Sequence, residues 1–136
     1  MFPGGMRGSP RGVRCAESGA AYELGFNSAM PGAARGFVHD RWVGMARPEL
    51  LDAVGLCVSE LVTNALDHAR PPYWLRLSER GRTLRIELED ATVDPPIVRA
   101  QDPQQLRGRG MFLVEHLSRA WGVLPSDHGK TVWAEF

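Results

Sequence analysis

Between Pro48 and Pro71 the apolar residues Leu50, Val54, Cys57, Leu61 and Ala65 recur at helical spacing, and from Tyr73 onward the period drops to two. Tyr73, Leu75 and Leu77 alternate with Trp74, Arg76 and Ser78; beyond a turn at Arg80-Gly81-Arg82, Leu84, Ile86 and Leu88 alternate with Arg85, Glu87 and Glu89. An amphipathic helix and a two-stranded hairpin each bury one side only, so they are expected to close on one another. Pro48 suits a first helical turn, and Pro71 stops the helix because it lacks the N–H and restricts the residue before it.

The flanking segments extend the pattern. Residues 1–19 are rich in glycine and proline with little to bury and read as a flexible leader, which leaves 20–136 as the folded domain. Tyr22, Leu24 and Phe26 alternate as in a strand. With Ser28 as cap and Pro31 in the first turn, Ala34, Val38, Trp42 and Met45 mark a helix running to Ala46. Residues 91–107 carry three prolines and no period, the composition of a functional loop, here read as a lid. Gly110 to Ala120 reads as a short helix with Phe112, Leu113, Leu117 and His116 inward, and Trp121–Leu124 with Thr131–Phe136 as a closing hairpin. This order specifies an α+β fold: a two-layer sandwich with helices on one face of a mixed, mainly antiparallel sheet.

Charge narrows the function. Sixteen basic residues balance sixteen acidic ones, so no positive field favours direct nucleic-acid binding. No apolar run approaches the roughly 20 residues that span a bilayer, and the N-terminal stretch lacks a secretory apolar segment, which together point to a cytoplasmic protein that does not enter membranes. Cys15 and Cys57 are too few and too dissimilar in setting for a disulfide framework or a metal site.

The chemistry-bearing residues begin on the long helix. Glu60, Asn64 and His68 stand four apart, each step rising about 6 Å and drifting about 40° around the axis, so the three form a polar column beside the apolar stripe. Taken singly, E-x-x-x-N is an ordinary solvated helix pattern. Its company is unusual: the hairpin ends on the acidic Asp90, a loop of lid length follows, and Gly108-Arg109-Gly110 opens the next helix. Glycines there let backbone N–H groups approach an anion, and the helix N-terminus adds partial positive charge suited to phosphate. Lys130, the only lysine, reads as solvent-exposed, with phosphate contact as the alternative, and His68 as a supporting or core residue.

In combination, E60-L-V-T-N-A-L-D-H, E89-D90 at a strand end, G108-R-G-M-F-L-V and G129-K-T-V-W-A-E-F resemble the Bergerat-type, or GHKL, histidine-kinase-like ATPases, and among their branches the anti-sigma factor serine/threonine kinases. The resemblance spans about Ala20 to Phe136. It implies ATP and Mg²⁺ as cofactors: Asn64 holding Mg²⁺, Glu60 orienting or deprotonating the attacking hydroxyl, and Asp90 accepting from the adenine amino group. It further implies that Thr92 lies in the adenine loop, that Gly108, Arg109 and Gly110 wrap the phosphates, and that Thr131 lies on the strand behind the adenine pocket. The partners it implies are a sigma factor, an anti-anti-sigma protein, or both, and a homodimer is in keeping with the family. One loop departs from the pattern: in D90-A-T-V-D94, Thr92 and Asp94 stand where the family has glycines, and a Cβ at Thr92 restricts positive φ. Two functions fit these residues, a kinase that phosphorylates a small antagonist protein and a nucleotide-dependent binding module without transfer activity.

Overall fold

The computed structural model describes residues 14–16, 19–93 and 111–136. Its strands are β1 (Arg14–Ala16), β2 (Gly19–Leu24), β3 (Tyr73–Arg80), β4 (Thr83–Asp90), β5 (Ala120–Ser126) and β6 (Gly129–Glu135), and they form one sheet in the order β1-β2-β3-β4-β6-β5. Every pairing between these strands is antiparallel. Helices α1 (Met30–Trp42) and α2 (Pro48–His68), joined by a helix α3 over residues 111–117, share one core with the inner face of the sheet. The two-layer α+β architecture is therefore the one that the periodicities dictate.

Alternation sets the inner face. Tyr73, Leu75 and Leu77 of β3 and Leu84, Ile86 and Leu88 of β4 are buried, with Trp74, Arg76, Arg85, Glu87 and Glu89 on the other side. Gly81 closes this hairpin with φ 61°, a left-handed conformation that costs little only for glycine. Above it, α2 buries Val54, Cys57, Val58, Leu61, Val62 and Ala65, each large aliphatic side chain contributing about 1.5–3 kcal/mol on burial. The stripe is broader than the five residues read from spacing, because Val58 and Val62 are fully buried as well.

Several boundaries differ from the sequence reading. β1 lies within the stretch assigned to the leader, pairing Cys15 with Ala20 across a short connection. The side chain that caps the approach to α1 is Asn27, not Ser28: its Oδ1 accepts from Ala29 N at 2.8 Å, the local turn that asparagine favours. α1 ends at Trp42, Gly44 takes φ 86°, and Met45 is left exposed. In α3 the inward residues are Met111 and Val114, whereas Phe112 is 52% exposed and Leu117 and His116 also face outward. The run Met111-Phe112-Leu113-Val114 is apolar at every position, so spacing could not fix the phase of a helix this short.

A polar clasp ties α1 to the far end of β3. Glu79 accepts from Arg41 Nε at 2.7 Å and Nη2 at 2.9 Å, and from the indole Nε1 of fully buried Trp42 at 2.7 Å. Burial by itself pushes the Glu79 carboxyl up, but the hydrogen bonds from Arg41 and Trp42 and the Arg41 charge outweigh it and hold the carboxyl below its ordinary range. A carboxyl depressed on folding stabilises the protein above its unfolded pKa, and that contribution is lost as pH falls through the lower folded value. Glu79→Gln is expected to cost about 2 kcal/mol near neutrality, because it removes the charge that accepts from Arg41 and from the buried Trp42 indole. It should also flatten the decline of melting temperature below about pH 4.5, the ordinary glutamate value; melts from pH 3 to pH 7, as an approximate span, check both effects. An acid limb as steep in Glu79→Gln as in the wild type would assign it to other groups.

Candidate nucleotide site

The C-terminal end of α2 is strapped to the end of β4. Tyr73, wholly buried at the start of β3, donates from its hydroxyl to Ala69 O at 2.8 Å and to Ala65 O at 3.3 Å. Ala91 N donates to Arg70 O at 2.9 Å, and Arg70 N donates to Thr92 Oγ1 at 2.9 Å. These bonds bring the turn that carries Asn64 and Ala65 to the strand end that carries Asp90. Burial, followed by the nearby Asp90 charge, pushes the Tyr73 hydroxyl above its ordinary pKa, which keeps it a donor. Alternation alone assigned Tyr73 to the core; its hydroxyl is visible only once the helix end lies over it.

Asp90 is 4% exposed and continues the inner-face series Leu84, Ile86, Leu88. Its Oδ1 accepts from Thr92 N at 2.7 Å, and its Oδ2 accepts from Lys130 Nζ at 2.9 Å. Asp90 and Lys130 are direct partners in the β4–β6 register, so their side chains leave the sheet on the same face. The Lys130 side chain is only 12% exposed. The solvent exposure read for Lys130 from sequence gives way to an ion pair with Asp90. Thr131 pairs with Glu89 and so stands on the outer face, with Lys130 in the inward place.

Gly129 makes this junction possible. A Cβ there would lie 1.8 Å from Asp90 O and 2.9 Å from Ala91 Cα, so no other residue allows β6 to approach β4 this closely. Thr92 is equally specific: it is 2% exposed, its N–H holds Asp90 and its hydroxyl receives Arg70 N. Where a glycine would leave the loop free, Thr92 ties its first residues to the α2–β3 connection.

On α2, Glu60 and Asn64 are half-buried and their side chains make no hydrogen bond among the described residues, whereas His68 is exposed at the helix end and not part of the core. The last turn of α2 directs Ala65 toward the core and His68 away from it. Glu60 lines a cleft of about 560 Å³ between α1 and α2 together with Arg35, His39, Asp52, Ser59 and Thr63. Burial, and then the Glu60 charge, pushes the Cys57 thiol up to about 12, so Cys57 is an inert packing residue at neutral pH. No cluster of three metal-ligating side chains occurs among the described residues. The donor set present, one amide at Asn64 beside a carboxylate at Glu60, suits a Mg²⁺ ion that draws its remaining ligands from phosphates and water. Asp90, a buried acceptor on the inner face beside a glycine cradle, suits an amino-bearing base. Gly108, Arg109, Gly110 and most of the segment read from sequence as a lid, residues 94–107, lie outside the described residues.

The family model for the histidine kinase-like ATPase domain matches residues 33–136, well over half of the chain. The chain belongs to that family. Among solved structures, the RsbU and RsbW domains of Rv1364c from Mycobacterium tuberculosis superpose with a TM-score of 0.66 at 14% identity, over 90% of this chain and 33% of that one. The histidine kinase domain from Erythrobacter litoralis EL346 blue-light activated histidine kinase gives 0.54 at 23% identity, over 79% of this chain and 59% of that one. The chain thus spans a third and about three fifths of these two neighbours. At such identities the likeness carries the fold, and function has to be argued from the site. No curated protein matches the sequence. No helix among the described residues is long and apolar enough to cross a membrane.

Proposed function

We propose that this domain binds ATP with Mg²⁺ at the α2–β4 junction and acts as an anti-sigma-type protein serine/threonine kinase. In this reading it passes the γ-phosphate to a small anti-anti-sigma protein and sequesters a sigma factor through protein contacts. The observation that carries the reading is Asp90: a buried carboxylate on the helix-facing side of the sheet, strapped to the helix end that bears Asn64. Asp90 accepts from the adenine amino group. Asn64 contributes its amide oxygen to Mg²⁺, which neutralises phosphate charge when bound, and Gly108, Arg109 and Gly110 surround the phosphates. Glu60 orients the acceptor hydroxyl and takes its proton, and the α1–α2 cleft leaves it open toward a protein substrate. Thr131, on the outer face, has no part in base recognition in this reading. The protein acts in the cytoplasm without direct nucleic-acid contact, and pairing as a homodimer accords with the resemblance.

A second reading, an ATP-dependent binding module without transfer, is favoured by the D90-A-T-V-D94 loop, where Thr92 in place of a glycine is tied to Arg70 N and Asp90. Calorimetry with Mg²⁺ and ATP tests what the two share. Asn64→Ala and Asp90→Asn are each expected to weaken binding by about tenfold or more, because each removes a hydrogen-bonding or metal-binding group from a partly desolvated site. Unchanged affinity in both variants, or no binding heat with millimolar nucleotide, would sink the assigned pocket. Labelled ATP with a candidate antagonist protein then separates kinase from module.

A further inference from the structure

The geometry points to Lys130 as a residue that reads the nucleobase, acting beside Asp90 and not on the phosphates. The inference rests on Asp90 being the base site. Two described groups bind the Asp90 carboxylate, Thr92 N on Oδ1 and Lys130 Nζ on Oδ2, and each oxygen retains a second lone pair. The Lys130 ammonium carries three N–H donors and uses one of them on Oδ2. Register places the two side chains directly opposite on the inner face, so an acceptor and a donor lie side by side where the base would enter.

That couple matches one edge of adenine. The exocyclic amine is a donor and the adjoining ring nitrogen N1 an acceptor, so Asp90 accepts from the amine while Lys130 donates to N1. Guanine bears two adjacent donors, N1–H and the 2-amino group, which suit a carboxylate with both oxygens free. With one of these donors on Asp90, the other would face the Lys130 ammonium, donor against donor. A phosphate on Lys130 would have to sit against the Asp90 charge at a side chain that is only 12% exposed.

The test titrates the full chain, with Mg²⁺, against ATP, GTP and 1-deaza-ATP, in which a C–H replaces N1. The wild type should bind ATP roughly tenfold more tightly than 1-deaza-ATP and more tightly than GTP, the scale of one buried charge-assisted hydrogen bond. Lys130→Met, which keeps the apolar stem, should bind ATP about tenfold more weakly and no longer distinguish it from 1-deaza-ATP. Lys130→Arg should keep some discrimination. Equal binding of ATP and 1-deaza-ATP by the wild type would overturn the inference while leaving Asp90 as the base site. Tighter ATP binding by Lys130→Met would do the same and recast Lys130 as a plug on Asp90. If the wild type binds no ATP, both the inference and the reading beneath it fail. Should Lys130→Met not fold, because Asp90 is left buried without its cation, Lys130→Arg decides: discrimination against 1-deaza-ATP below that of the wild type supports the inference, and discrimination equal to it overturns the inference.

Discussion

Replacing Glu60 with Gln is expected to lower phosphoryl transfer to the antagonist protein by about a hundredfold or more while changing nucleotide affinity by less than about tenfold. The split follows from what the side chain does. Gln keeps the shape and one hydrogen-bond acceptor but cannot take a proton, and a general base matters in the transition state far more than in the ground state. Glu60 is one turn before Asn64 and lines the cleft between α1 and α2, where the proposed function has it meet a hydroxyl of a docked protein apart from the base site at Asp90. The measurement is single-turnover transfer from labelled ATP, run beside an ATP titration and a partner-binding assay. Partner binding should survive. Transfer by Glu60→Gln at the wild-type rate would remove Glu60 as the base and direct the same test to Asp67. A wild type that binds an antagonist in an ATP-dependent way yet transfers nothing would leave the binding module as the function.

Gly129→Val should abolish nucleotide binding and destabilise the whole domain. Its Cβ would fall 1.8 Å from Asp90 O, a clash with backbone that no rotamer relieves, so the β4–β6 ladder has to part at the point where Asp90 and Lys130 meet. Overpacking of this kind costs about 1–3 kcal/mol and occasionally more, and parting the ion pair exposes or strands a buried carboxylate as well. A loss of roughly 3–4 kcal/mol is expected, which for a domain of this size lowers the melting temperature on the order of 10 °C. Thermal melts and ATP titrations of Gly129→Ala and Gly129→Val, ranked by side-chain size, check it. Melting within about 2 °C of the wild type in both would mean that β6 does not approach β4 as described.

Much of the fold and part of the site could be read from the residues in order. The α2 stripe and the β3–β4 alternation are local signals: each repeats within its own segment, and each records which side of that segment is buried. Glu60, Asn64 and Asp90 stand out as candidates for the same reason, as polar residues at fixed places on patterns that are otherwise apolar. Where a segment carried no internal contrast the reading failed, as in α3, whose four consecutive apolar residues allow several phases. Met111 and Val114 are inward because they join the core shared by the helices and the sheet, a fact that belongs to the packing.

The sequence by itself determined the element order, the two-layer architecture, and the placing of an acidic strand end and a polar helix column in one domain, because amphipathic period and turn residues act over a few positions. Only the tertiary structure decided which residue meets Asp90. That choice depends on the register of β6 against β4, forty residues apart at the Lys130–Asp90 contact, and a shift of one residue would present Thr131 in place of Lys130. The Tyr73 hydroxyl beneath α2, the Thr92 tie to Arg70 and the need for glycine at 129 have the same origin. Each is a contact between segments distant in the chain, and such contacts leave no periodic trace in either segment because they are set by how closely two backbones approach.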